Sequence, residues 1–233
     1  MSRKAIFWDF DGTLVYPNEA YTLTLGEALR ESGYETDICD LRRCVIEAIP
    51  WHHSGTIYPH AKDGGFWREV FGVLEKYYEA FGVRKEDRES INSRYAALIP
   101  KFGYTAYDDA QYALGGCRRL GFECFLLSNN FPELKEAVKP LDLGGYFSDY
   151  IISGSTGYDK PCREIFDIAL RKAGYPDITY MVGDNLYADI GGAKAAGMKT
   201  IWIDRTGKGE LNGADHVCRS LSEIPEILAG EKI

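Results

Sequence analysis

The chain has 233 residues, 45% hydrophobic and 27% charged, with a formal net charge of −8. That length is enough to bury the core of one or two domains, and that composition belongs to a globular protein. The acidic balance, with no long basic run, argues against nucleic acid as a main partner, and no apolar run reaches membrane-spanning length.

The six cysteines (Cys39, Cys44, Cys117, Cys124, Cys162 and Cys218) show no Cys-x-x-Cys spacing. Most fall in apolar surroundings, and Met1-Ser-Arg-Lys leads into the first strand without a signal-peptide profile. They read as reduced thiols of a cytoplasmic protein rather than as a zinc site.

Ala5 to Trp8 is an unbroken apolar run, predicted as a central strand buried on both faces. It ends in Asp9-Phe10-Asp11-Gly12-Thr13. Two carboxylates two residues apart point to the same side of an extended chain, and Gly12 lets the backbone turn behind them. Buried acids need a cationic partner, so one is expected there.

Between residues 17 and 100 the pattern is helical. Helices are predicted over Glu19–Ser32, Asp37–Ile49, Phe66–Ala80 and Lys85–Ile99, with Gly33, Pro50, Gly82 and Pro100 as stops. Apolar stripes at helical spacing, such as Phe66, Val70, Val73, Leu74 and Tyr77, give a small bundle. The stretch Trp51–His60 holds His52, His53 and His60. It reads as a loop of packed aromatics rather than a metal site, and with Tyr16 and Asn18 its position suits specificity contacts.

After Pro100, strand and helix alternate. Helix Asp108–Leu120 precedes strand Phe122–Leu127, and a short helix Pro132–Val138 leads to a brief strand Tyr150–Ile152. Helix Pro161–Ala173, strand Thr179–Val182, helix Leu186–Ala196, strand Thr200–Ile203, a weak strand His216–Cys218 and helix Leu221–Leu228 complete the chain. The expected fold is α/β, a Rossmann-like parallel sheet core (1–16 and 101–233) with an inserted helical-bundle cap domain (17–100) over its carboxyl edge.

Four sequence-distant groups then converge on that edge, where ligands of open α/β sheets bind. They are Asp9 with Asp11, Ser128-Asn129-Asn130, Lys160, and Asp184 with Asp189. Asp9, Asp11 and Asp184 are hard oxygen donors suited to Mg2+. Lys160 supplies fixed positive charge, and Ser128 a hydroxyl near a helix start. Together they make a cradle for a phosphoryl group, with one carboxylate in line as nucleophile and a second as acid and base.

These motifs resemble the haloacid dehalogenase superfamily in its phosphatase branch: Asp9-Phe-Asp-Gly-Thr-Leu14, Leu126-Leu-Ser-Asn129, Lys160-Pro161 and Gly183-Asp-Asn-Leu-Tyr-Ala-Asp189, in the family's order. The resemblance implies Asp9 as nucleophile forming an aspartyl-phosphate, and Asp11 as general acid/base with its backbone carbonyl on the metal. It implies phosphate binding by Ser128 and Asn129, and Lys160 bridging nucleophile and phosphate. Asp184 would ligate Mg2+, Asp189 would support that shell or the lysine, and Thr13 would steady Asp9. The dehalogenases lack the second acid, so Asp11 argues against halide displacement. A phosphonate hydrolase would need a cap lysine, for which Lys62 and Lys76 are available; Lys76 follows Glu75 on a charged face. The expected activity is Mg2+-dependent hydrolysis of a small phosphorylated metabolite by a monomer or dimer. A sugar-phosphate mutase and a non-catalytic regulator are the alternatives.

Overall fold

Every residue from Ala5 to Trp8 is buried, as an apolar strand covered on both faces requires. This strand, β1 (Lys4–Trp8), lies between β2 (Phe122–Ser128) and β4 (Ile178–Gly183), with Trp8 level with Leu126 on one side and Val182 on the other. With β3 (Phe147–Ile152), β5 (Lys199–Ile203) and β6 (His216–Cys218) it forms a parallel sheet of order β3-β2-β1-β4-β5-β6. The computed structural model describes residues 2–52, 65–207 and 213–231.

Four helices separate β1 from the rest of the sheet: α1 (Ala20–Glu31), α2 (Ile38–Ala48), α3 (Gly65–Ala80) and α4 (Lys85–Leu98). Then come α5 (Ala110–Arg119), α6 (Leu134–Val138), α7 (Ser153–Thr156), α8 (Arg163–Lys172), α9 (Gly192–Ala195) and α10 (Ile224–Gly230). Among the described residues no helix is long and apolar enough to cross a membrane.

The twofold period of β1 assigns its side chains to two cores. Ala5 and Phe7 pack with Phe125, Leu127 and Met181 against Ile165 and Phe166 of α8 and Ala193 of α9. Ile6 and Trp8 belong to the opposite layer, with Leu114 of α5 and Leu228 of α10. That second cluster continues without a break into Leu25, Leu29, Phe66, Leu74 and Tyr95 of the four inserted helices.

The insertion leaves and returns along one narrow path. Val15 bridges both Asp11 and Ala106. The Tyr16 N–H donates to the Thr105 carbonyl at 2.9 Å, and the Tyr107 N–H donates to the Leu14 carbonyl at 3.0 Å. The outgoing and returning segments are therefore paired as an antiparallel ribbon.

Several elements differ from expectation: α7 has no counterpart among the predicted helices, α5, α6 and α10 start two or three residues late, and three further differences have a local cause. β3 begins at Phe147, three residues earlier than its apolar end suggests; on this edge strand Ser148 points to solvent and Asp149, on the other face, pairs with Lys172 at 2.8 Å. Helix α8 begins at Arg163: Cys162 is extended, and Lys160 and Pro161, joined by a cis peptide, belong to the preceding turn. The helix expected from Leu186 opens as a wider π turn over Leu186–Gly191 before α9. Asn185 caps it by accepting from the Tyr187 and Ala188 N–H groups.

Phe7 stacks on Phe125 at 5.2 Å between centroids and is fully buried in the central strand. Phe7→Ala is expected to cost about 3–5 kcal/mol through lost burial and the cavity it leaves, read as a lowered urea midpoint with an unchanged slope.

Candidate active site

Each expected group sits where a strand ends on the same edge. The Asp9 N–H donates to the Val182 carbonyl at 2.9 Å, so the nucleophile candidate continues the β1 ladder instead of hanging in a loop. Ser128 is the last residue of β2 and is buried. Asp184 follows β4 directly. Asp9, Asp11, Ser128, Asn129, Lys160, Asp184 and Asp189 all line one cleft of about 390 Å³. Its far wall comes from Pro17, Asn18, Tyr21, Trp51 and His52.

Lys160 is the centre of the arrangement. Its Nζ donates to Asp9 Oδ1 at 2.6 Å, to Asp189 Oδ1 at 2.6 Å and to the Leu127 carbonyl at 3.0 Å. An ammonium has three donors, and all three are used. Burial alone would push Lys160 down, but the Asp189 and Asp9 carboxylates outweigh it and hold the amine above its usual range. Asn129 fixes the turn that carries it: its Nδ2 donates to the Lys160 carbonyl at 2.9 Å, and its Oδ1 accepts from the Lys160 N–H at 2.7 Å. The Asn129 side chain thus aligns the lysine, although the sequence suggests it for phosphate.

Two glycines allow the acids this close. Gly12 has φ +78°, and a Cβ there would stand 2.3 Å from Asp184 Oδ2. A Cβ on Gly183 would stand 2.2 Å from Asp189 Oδ2. Thr13, expected beside Asp9, places its hydroxyl 3.5 Å from Asp184 Oδ1 instead.

The acids differ in their partners. Burial, then the charge of Asp9, pushes the Asp11 carboxyl up to about 7, against a hydrogen bond from Asn130. Asp184 opens to the cleft; desolvation by the protein behind it and the Asp9 charge lift it to about 6. Burial also lifts Asp189 while Lys160 draws it back. With Lys160 Nζ and the Asn185 N–H (3.0 Å) both donating to it, Asp189 holds the ionised form.

Asp9, Asp184 and Asp189 each bring a carboxylate oxygen within 4.8 Å of the others. Both Asp189 oxygens already accept hydrogen bonds, which leaves Asp9 and Asp184 as the pair open to a cation. Four carboxyl groups against one ammonium in this lining leave an excess of negative charge, and the donors are all hard oxygens. The residues fit a small divalent cation.

Several contributors were not legible. Asn130 donates to Asp11 Oδ2 at 2.7 Å, and Tyr21 to Asn130 Oδ1 at 2.7 Å. Trp202 Nε1 holds the Asp184 carbonyl at 2.9 Å. Arg205 donates to the Thr13 carbonyl at 3.0 Å and to Asp109, with its guanidinium over the Tyr107 ring. Only Asn130 carried a signal, as the third polar residue after β2. Of the expected specificity contacts, Asn18 and His52 line the cleft, whereas Tyr16 packs at a tilt against Tyr107. His53, His60, Lys62 and the rest of the Trp51–His60 loop beyond His52 lie outside the described residues. Lys76 is exposed and pairs with Glu47 at 3.6 Å.

The model of one family, the haloacid dehalogenase-like hydrolases, matches residues 3–197, and the chain belongs to that family. Among its relatives, the glyceraldehyde 3-phosphate phosphatase of Pyrococcus furiosus is 38% identical, over 98% of this chain and 94% of that one. The phosphoserine phosphatase of Thermus thermophilus is 35% identical, over 61% of this chain and 56% of that one. The crystal structure of YfnB from Bacillus subtilis bound to magnesium superposes with a TM-score of 0.72 at 19% identity, over 98% of this chain and 100% of that one, a likeness of fold.

Lys160→Ala would strand two buried carboxylates. It is expected to cost about 3–5 kcal/mol at pH 8. At pH 5 the loss should be smaller, since Asp189, whose proton affinity burial raises and which then lacks its ammonium partner, regains stability by protonation. Urea denaturation of both proteins at the two pH values checks this.

Proposed function

We propose that the chain is a Mg2+-dependent phosphatase that hydrolyses a small phosphomonoester through an aspartyl-phosphate on Asp9. One observation carries the reading: two acids two residues apart have opposite environments. Asp9 is ion-paired to Lys160, while Asp11 faces the neutral amide of Asn130 and is lifted to about 7. Carboxyls separated in this way divide into nucleophile and proton donor.

In this reading an Asp9 oxygen forms a bond to phosphorus as the bond to the leaving oxygen breaks. Asp11 gives that oxygen its proton. Asp11, now a carboxylate, takes a proton from water as the water attacks phosphorus, and the Asp9–phosphorus bond breaks to release phosphate. Lys160 keeps Asp9 oriented and neutralises charge on the phosphoryl group, to which the Ser128 hydroxyl and the N–H groups of its loop donate. Asp9, Asp184 and the Asp11 carbonyl would hold Mg2+, which when bound withdraws charge from the phosphoryl oxygens. The wall of Pro17, Asn18, Tyr21, Trp51 and His52 limits the substrate to a small molecule and excludes bulk water. The two phosphatase relatives are named for different small phosphomonoesters, which supports the class rather than one member of it.

Asp9→Asn should reduce turnover of an aryl phosphate by about 10³-fold or more, as loss of a nucleophile does. A screen of phosphorylated metabolites with Mg2+, reading free phosphate, tests the class; an isomerised sugar phosphate without phosphate release would indicate a mutase instead.

Cation binding has its own signature. At about 100 times its dissociation constant, Mg2+ should stabilise the protein by about 2.7 kcal/mol. Asp184, lifted to about 6, is charged above that pH and neutral below it. The rise in Tm with Mg2+ should therefore be larger at pH 8 than at pH 5, and small at both in Asp184→Asn.

A further inference from the structure

Asp11 does not choose its own orientation. Its Oδ2 accepts from Asn130 Nδ2 at 2.7 Å. Which end of the Asn130 amide faces Asp11 is decided on its other side. Asn130 Oδ1 accepts from the Phe131 N–H at 3.1 Å and from the Tyr21 hydroxyl at 2.7 Å. A backbone N–H can only donate, so Oδ1 belongs there and the NH2 group must turn to Asp11. The Asn130 N–H is itself held by Ser153 Oγ at 3.0 Å, so the asparagine is fixed in the core and fully buried.

The Tyr21 end of this chain comes from elsewhere. Tyr21 lies in α1, the first helix of the insertion, whereas Asp11 and Asn130 follow β1 and β2. Its ring is wedged edge-on between Trp51 (5.4 Å) and Phe131 (6.0 Å), which leaves its hydroxyl little freedom. Burial keeps that phenol protonated, so it remains a donor. The hydroxyl reaches Asn130 Oδ1 only when α1 sits against the loop after β2.

We propose that Tyr21 and Asn130 are positioning residues that hold the Asp11 carboxyl with Oδ1 toward the leaving-group oxygen, so that seating of the inserted helices aligns the proton donor. Asn130 engages Oδ2 and leaves Oδ1 to carry the proton. The proposal rests on the phosphatase reading and assigns to Tyr21 an effect on proton delivery rather than on substrate affinity.

The test compares two esters of similar shape, phenyl phosphate and 4-nitrophenyl phosphate, with Mg2+. The 4-nitrophenolate departs with little help; the more basic phenolate needs the proton. Reading kcat/KM confines the comparison to steps up to transfer onto Asp9. Tyr21→Phe and Asn130→Ala are each expected to widen the ratio between the two esters by about tenfold over the wild type, in the same sense as Asp11→Asn. Tyr21→Phe removes one oxygen and keeps both ring contacts, so it decides the matter alone if Asn130→Ala does not fold. An unchanged ratio in Tyr21→Phe, including equal losses on both esters, overturns the proposal while leaving the phosphatase reading in place. If the wild type releases phosphate from neither ester, the phosphatase reading falls and this proposal with it.

Discussion

The site depends on one ammonium group buried between two carboxylates. Lys160 reaches across from the turn after β3 to Asp9 at the end of β1 and to Asp189 beyond β4, and uses its third proton on the Leu127 carbonyl of β2. Four parallel strands are thus tied together at their carboxyl ends through a single nitrogen. Taking such a charge out of water is costly, and the cost is met only because every donor has an acceptor. The side chain therefore has one arrangement rather than several. That in turn keeps Asp9 aimed into the cleft.

Around that fixed centre the remaining acids are less comfortable. Asp11 and Asp184 have no cation of their own among the described residues, and desolvation raises both. The architecture stores unmatched negative charge beside a small cleft and holds it close with two glycines, where a Cβ would press on the Asp184 and Asp189 carboxylates. On the proposed reading a cation would complete this site, held by the same crowding of acids that disfavours the bare protein.

The sheet, its order of elements and the convergence of its strand ends were legible because each rests on a local signal. Ala5–Trp8 had to be buried on both faces, and alternation after Pro100 left little but a parallel sheet. Polar residues that follow strands share an edge whatever their partners. What was not legible is set by side-chain geometry across distant elements. Thr13 turns to Asp184 rather than Asp9, Asn129 binds the lysine turn, and Tyr21 crosses from an inserted helix to reach Asn130. No periodicity encodes those contacts. The wider turn at Leu186–Gly191 was hidden for a similar reason, since its composition is that of an ordinary helix start.

The ribbon formed by Leu14–Tyr16 and Thr105–Tyr107 has a consequence for how this chain is put together. Paired strands lie about 4.8 Å apart, so more than eighty residues begin and end almost at one point. To the sheet, that excursion is equivalent to a hairpin turn, and its length adds little to the entropy of closing it. The excursion can accordingly be lengthened, rebuilt or exchanged for another while β1 and the strands that follow keep their register. The register of the sheet and the length of that excursion are thus set on separate terms.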